Sequence, residues 1–109
     1  LTSAKEISNN VPDKFALEQN YPNPFNPETV IRFALPTESH VSLSIYNLLG
    51  EKVAELLNEF RNSGTYEVKW NGLNSAGKQM SSGIYFYELR GIDETGIEKS
   101  EIKKMVMMR

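Results

Sequence analysis

The sequence has no cysteine among its 109 residues and a single histidine, His40. Disulfide bracing and thiolate chemistry are therefore excluded, and so is any metal site built on several histidines. No apolar run approaches the roughly 18 residues of a membrane-spanning helix, and the opening stretch LTSAKEISNN lacks the charged-then-apolar layout of a secretory leader. Basic residues are not in excess: 12 Lys and Arg stand against 14 Asp and Glu, for a formal net charge of −2. With no stretch that gathers them into a phosphate-reading stripe, nucleic acid is not an expected partner. Helical periodicity is scarce as well.

What is present is the composition of an ordinary globular protein, 39% hydrophobic and 24% charged, in a length that suits one compact core. The chain opens without a methionine on a polar stretch from Thr2 to Asp13. That stretch suits a linker, so residues 1–14 are expected to connect an upstream cargo domain, not present here, to a folded domain over residues 15–109.

Within the folded part, alternating apolar and polar residues dominate, with turn residues every eight to twelve positions or so. Strands are expected over Phe15–Asn20, over Thr29–Leu35 with Thr29, Ile31, Phe33 and Leu35 inward, and from Val41 with Val41, Leu43 and Ile45 inward up to the turn at Gly50. Val53, Leu56, Leu57 and Phe60 sit at helix-like spacing, but their surroundings favour a strand followed by an irregular bend. Tyr66, Val68 and Trp70 share one face of a run that opens at Gly64 and closes at Asn71-Gly72. Ile84–Arg90 is apolar on both faces, as in a central strand, and its second face is free to meet the N-terminal segment or another copy. Ile97–Met108 is the last strand. The proline-rich group Tyr21, Pro22, Asn23, Pro24, Phe25, Asn26, Pro27 cannot donate a continuous ladder and must be an edge or an extended crossover. The sum is an all-β, immunoglobulin-like antiparallel sandwich of about seven strands, with Trp70 anchoring the core.

Chemistry is hard to find. His40 has no serine in a nucleophile-elbow context to work with. Glu51, Glu55 and Glu59 line up only on a helix, and Asp93-Glu94 belongs to a turn. Asn71, Asn74 and Ser75 offer oxygens to a calcium ion but no carboxylate joins them. No cofactor is expected, and no catalytic residue. Tyr66, Trp70, Tyr85, Phe86 and Tyr87 are compatible with an aromatic platform for sugar rings, but their alternation assigns most of them to the core.

Four segments, FALEQNYPNPFNPETVIRFALP, VSLSIYNLLGEKVAEL, GTYEVKWNGLNSAGKQMSSGIYFYEL and the final KKMVMMR, occur in an order that resembles the C-terminal sorting domain of the type IX secretion system of Gram-negative bacteria. That family is related in pattern to the immunoglobulin-like domain of the flagellar hook-capping protein. The resemblance implies a non-catalytic domain that directs a covalently attached N-terminal cargo through the periplasm to the outer-membrane surface or the medium. It also implies recognition by the type IX secretion machinery and removal by a surface sortase, with the cut upstream of the fold, in the Thr2–Asp13 stretch.

Carried over by position, the Pro-Asn-Pro motif falls on Pro22, Asn23 and Pro24, the Ser-Gly-x-Tyr element on Ser82, Gly83 and Tyr85, and the basic-apolar tail on Lys103, Lys104, Met105 and Val106. Pro22–Pro27 stiffens the chain and Gly83 is expected to relieve a close backbone approach, so both read as structural, alongside Gly50, Trp70 and Gly72. The tail Lys103, Lys104, Met105, Val106, Met107, Met108, Arg109 suits recognition by strand addition at an open edge, with an ordinary sheet strand as the alternative. A sorting domain read this way loses export but keeps its fold when the tail is removed. A sugar- or surface-binding module of a secreted hydrolase and an inert scaffold domain are the competing readings.

Overall fold

The computed structural model describes residues 4–109, so Thr2 and Ser3, the start of the expected linker, lie outside the described residues. Eight strands follow in chain order: β1 Lys5–Ser8, β2 Ala16–Leu17, β3 Thr29–Leu35, β4 Ser39–Asn47, β5 Lys52–Arg61, β6 Gly64–Trp70, β7 Gly83–Asp93 and β8 Glu98–Met107. They form two four-stranded sheets, β1-β6-β3-β2 and β5-β4-β7-β8, in which every strand pair is antiparallel. The expected sandwich is there, with eight strands in place of about seven. The additional one is β1, from the stretch read as linker, which pairs with β6 through Lys5 opposite Glu67 and Glu6 opposite Tyr66. The N-terminal segment thus extends the first sheet and does not cover the outer face of β7.

The inward residues are those that the alternation assigns. Ile31, Phe33 and Leu35 of β3, Val41, Leu43 and Ile45 of β4, Tyr66, Val68 and Trp70 of β6, and Tyr85, Tyr87 and Leu89 of β7 are all buried in one core cluster. β7 lies inside its sheet between β4 and β8. The first candidate strand is much shorter than Phe15–Asn20: only Ala16 and Leu17 pair with β3.

The ambiguous segment is a single strand through Arg61, and the bend after it falls at Ser63. Leu43 faces Leu57 while Ser44 faces Glu55, and Ile45 faces Ala54 while Tyr46 faces Lys52, so Leu56 and Val53 are each passed over by the register. Each bulge resets the phase of a period-two pattern. That reset places both Leu56 and Leu57 in the core and produces spacing that resembles a helix in the sequence.

Candidate recognition site at the tail end of the sandwich

The proline-rich crossover spans one open side of the sandwich. At its start Tyr21 bridges to Val30 of the first sheet, and at its end Phe25 bridges in parallel to Met107 of the second. Prolines tolerate this position because the crossover needs few donors, and two of its N–H groups, those of Tyr21 and Phe25, are used. The Phe25 N–H donates to Val106 O at 3.0 Å, and the Met108 N–H donates back to Phe25 O at 2.8 Å. Asn23, the central residue of Pro-Asn-Pro, accepts the Val106 N–H through Oδ1 at 2.9 Å. Gln19 Nε2 adds a bond to Lys104 O at 2.8 Å. The expected crossover therefore seals the edge of β8 from Lys104 onward.

This corrects the picture of the tail as an open edge. β8 is the last strand of its sheet, but its C-terminal half is already occupied by the crossover, and Met105 and Met107 are both 0% exposed. Met105 and Met107 belong to the core, so removal of the whole tail is expected to destabilise the fold as well as to change its surface. Val106 is half-buried, Lys103 is half-buried, and Lys104 and Met108 are exposed.

Arg109 closes the arrangement. Its N–H donates to Ser82 Oγ at 2.9 Å, its Nε to Met80 O at 2.6 Å and its Nη2 to Gly72 O at 3.2 Å. Gly72 has φ +78°, and a Cβ there would lie 3.0 Å from Arg109 Nη2, 3.1 Å from Met107 Sδ and 3.2 Å from Pro27 O. Only glycine fits both the backbone and the space. Gly83 differs from expectation: no atom lies within 4 Å of its would-be Cβ, and what it supplies is φ +152°, not room for a close approach.

Beneath the tail, three aromatics pack in sequence. Phe25 lies 5.8 Å from Trp70, and Trp70 lies edge-on to Tyr85 at 5.6 Å. Trp70 Nε1 donates to Leu73 O and the Tyr85 hydroxyl to Ser81 O, which satisfies both polar tips of these large side chains. Residues of the Pro-Asn-Pro motif, the Ser82 loop, the Gly72 turn and the tail thus meet at one end of the sandwich. Gly50 stands apart, closing the β4–β5 turn by donating its N–H to Asn47 O.

The alternation gave no hint of a second buried knot. Tyr87 donates its hydroxyl to Glu18 O at 2.7 Å and accepts the Asn20 N–H at 2.8 Å. Asn20, 2% exposed, donates through Nδ2 to Pro22 O and to Thr29 Oγ1. Burial pushes the Tyr87 hydroxyl up to about 12, the Asn20 N–H pulls it down, and the Glu18 carboxylate adds to the rise. The signal available in the sequence was a tyrosine on an inward face, whose hydroxyl must find a partner.

The remaining candidates are taken up by local structure. His40 Nε2 lies 2.6 Å from Asn58 Oδ1 and its ring is edge-on to Phe60. Glu51 accepts from Asn47, Glu55 pairs with Lys52, and Glu59 pairs with Arg61. Asn71 Oδ1 accepts the Leu73 N–H and Asn74 Oδ1 accepts those of Ala76 and Lys78, so the two asparagine oxygens considered for calcium cap their own loop, while Ser75 Oγ accepts the Glu55 N–H of β5. Among the described residues no three of His, Cys, Asp and Glu come together as a metal group. Tyr66, Trp70, Tyr85 and Tyr87 are buried and Phe86 is half-buried, which removes the platform considered for sugar rings.

PorU of Porphyromonas gingivalis, solved in a dimeric latent form, superimposes with a TM-score of 0.71 at 20% identity over 89% of this chain. PorZ, a surface component of the type IX secretion system of the same organism, gives 0.50 at 25% identity over 89%. This chain spans only 10% and 12% of those two proteins. FlgD of P. aeruginosa gives 0.61 at 18% identity, with 77% of this chain and 70% of that one covered. The PorU and FlgD likenesses establish the fold. No curated protein sequence matches the chain. A family model described as the secretion system C-terminal sorting domain matches residues 19–104, a span that includes the crossover, the Gly72 turn, the Ser82 loop and most of β8; the chain belongs to this family of export-sorting domains.

Proposed function

We propose that this domain is the non-catalytic address of a longer exported protein, handled by type IX secretion, and that the feature recognised is the folded tail end of the sandwich. The observation that carries this reading is the hydrogen-bonded union of Asn23, Phe25, Val106 and Met108, which makes the tail one surface with the crossover. A receptor would meet Lys104, Met108 and the exposed part of Arg109 in fixed positions, with charge steering from the basic groups. The cargo precedes the domain. Transit through the periplasm, delivery to the surface or medium, and sortase cleavage within residues 1–14, outside or beside β1, complete the reading.

The test is a fluorescent passenger directed to the periplasm and fused ahead of residues 1–109, in a bacterium with type IX secretion. Because Met105 and Met107 are core, the informative variant changes the two lysines, half-buried Lys103→Ala with exposed Lys104→Ala, and its fold is checked by its melting curve. Export of the parent fusion and periplasmic retention of the folded double variant supports a recognised tail surface. Export of both places recognition elsewhere on the domain. Retention of both, in a host that exports its own cargo, rejects the sorting reading for this chain.

A further inference from the structure

Tyr21 lies in the same proline-rich group as Phe25, yet Phe25 is 1% exposed and Tyr21 is 80% exposed. Its backbone is fixed, since Tyr21 N–H donates to Val30 O and Val30 N–H to Tyr21 O, both at 2.9 Å. A large ring carried into water on a fixed backbone adds little to the core, and exposed aromatics are enriched at binding surfaces. Beside it opens a cleft of about 450 Å³ lined by Glu18, Gln19, Val30, Arg32 and Glu67, within the range of about 300–1,000 Å³ usual for small-ligand sites.

The polar walls are held in place. Arg32 and Glu67 are register partners on β3 and β6, with Arg32 Nε donating to Glu67 Oε2 at 3.2 Å. Glu18 N–H donates to Arg32 O, and the Gln19 amide nitrogen is shared between Asn20 Oδ1 and Lys104 O. An anionic ligand would face the carboxylates of Glu18 and Glu67, and a cation would compete with Arg32 for Glu67. A neutral molecule with one apolar face and a rim of hydroxyls meets neither objection: its C–H face suits the Tyr21 ring, the guanidinium donates to it and the carboxylates accept from it. We propose that this cleft is a carbohydrate subsite for a neutral pyranose ring, with Tyr21 as stacking platform and Arg32 and Glu67 as hydrogen-bonding partners. It involves none of the buried aromatics first considered for that role.

The test needs no secretion, so its outcome is separate from that of the sorting reading. The isotopically labelled chain is titrated, by amide chemical shifts, with methyl β-glucopyranoside, methyl α-mannopyranoside, methyl β-galactopyranoside and N-acetylglucosamine in turn, each to tens of millimolar. Saturable shifts confined to the neighbourhoods of Tyr21, Arg32 and Glu67 with at least one sugar are expected. Tyr21→Ala should weaken that binding about tenfold, the change equivalent to roughly 1.4 kcal/mol, while Tyr21→Phe keeps it to within about twofold because stacking uses the ring and not the hydroxyl. Absence of saturable shifts with all of these sugars overturns the proposal. So does a folded Tyr21→Ala variant that binds as tightly as the parent.

Discussion

Asn23 and Val106 stand 83 positions apart in the chain and are joined directly, the Val106 N–H donating to Asn23 Oδ1 at 2.9 Å. An asparagine between two prolines is thereby the acceptor that fixes the tail's backbone, and the motif and the tail are two halves of one contact. Asn23→Ala removes the acceptor and should cost about 1 kcal/mol, with faster hydrogen exchange at the Val106 amide. Asn23→Asp keeps an acceptor oxygen and should preserve the protection. Equal exchange at Val106 in the parent and the alanine variant would refute the coupling.

Two of the tail's three methionines, Met105 and Met107, are core residues, and their truncation should behave accordingly. Met107→Ala leaves a cavity at a site with 0% exposure and should destabilise by about 2–5 kcal/mol. Lys104→Ala, at an exposed position of the same strand, should stay within about 0.5 kcal/mol. Urea denaturation of both variants separates the roles. Loss of export in the methionine variant is then a folding effect, and loss in the lysine variant is a recognition effect.

The sandwich was legible because strands with one dry face write a period of two into the sequence, as β3, β4 and β6 do, while β7, apolar on both faces, read as a strand inside its sheet. β5 was obscured because bulges at Leu56 and Val53 shift its phase. β1 was obscured because Lys5 and Glu6 are exposed on an edge and leave no apolar alternation to read. The sealing of the tail's edge was hidden for a related reason: Met105 and Met107 alternate correctly for a buried face, but the partner that seals β8 is an irregular, proline-rich segment, and no periodicity signals such pairing. Nothing in the sequence assigns partners to Arg109, because its guanidinium donates to the carbonyls of Met80 and Gly72, contacts that only the folded loops create.

Gly72 allows a contrast with Gly50. Both have positive φ, +78° and +86°, but only Gly72 is crowded, by Arg109 Nη2, Met107 Sδ and Pro27 O. Gly50→Ala should pay only for the backbone conformation, about 1 kcal/mol. Gly72→Ala pays that and must also displace the backbone oxygen of Pro27 or the Arg109 clasp, and should cost more, about 2–3 kcal/mol. Thermal melts of the pair check the ordering. Equal costs would mean that the tail yields freely at this point.

Tyr87 gives the domain a specific alkaline limit. Its hydroxyl is held at about 12, against an ordinary value of 10.0, chiefly because its environment is buried. As pH rises from about 10 to 12 the unfolded chain releases this proton while the native chain keeps it, so the native state binds more protons and stability falls with rising pH. The contribution is complete below pH 10 and is lost as pH rises through about 12. Tyr66 is also raised by burial and by the Glu6 carboxylate, so the total slope belongs to both residues and only a difference isolates Tyr87. Tyr87→Phe should remove part of the alkaline slope. At neutral pH it should also cost about 1–3 kcal/mol, because the buried Asn20 N–H loses its acceptor and Glu18 O its donor. Denaturant midpoints measured from pH 8 to 12 for the parent and the variant decide the matter: curves that stay parallel across the whole range would show that the Asn20 knot does not depend on the protonated tyrosine.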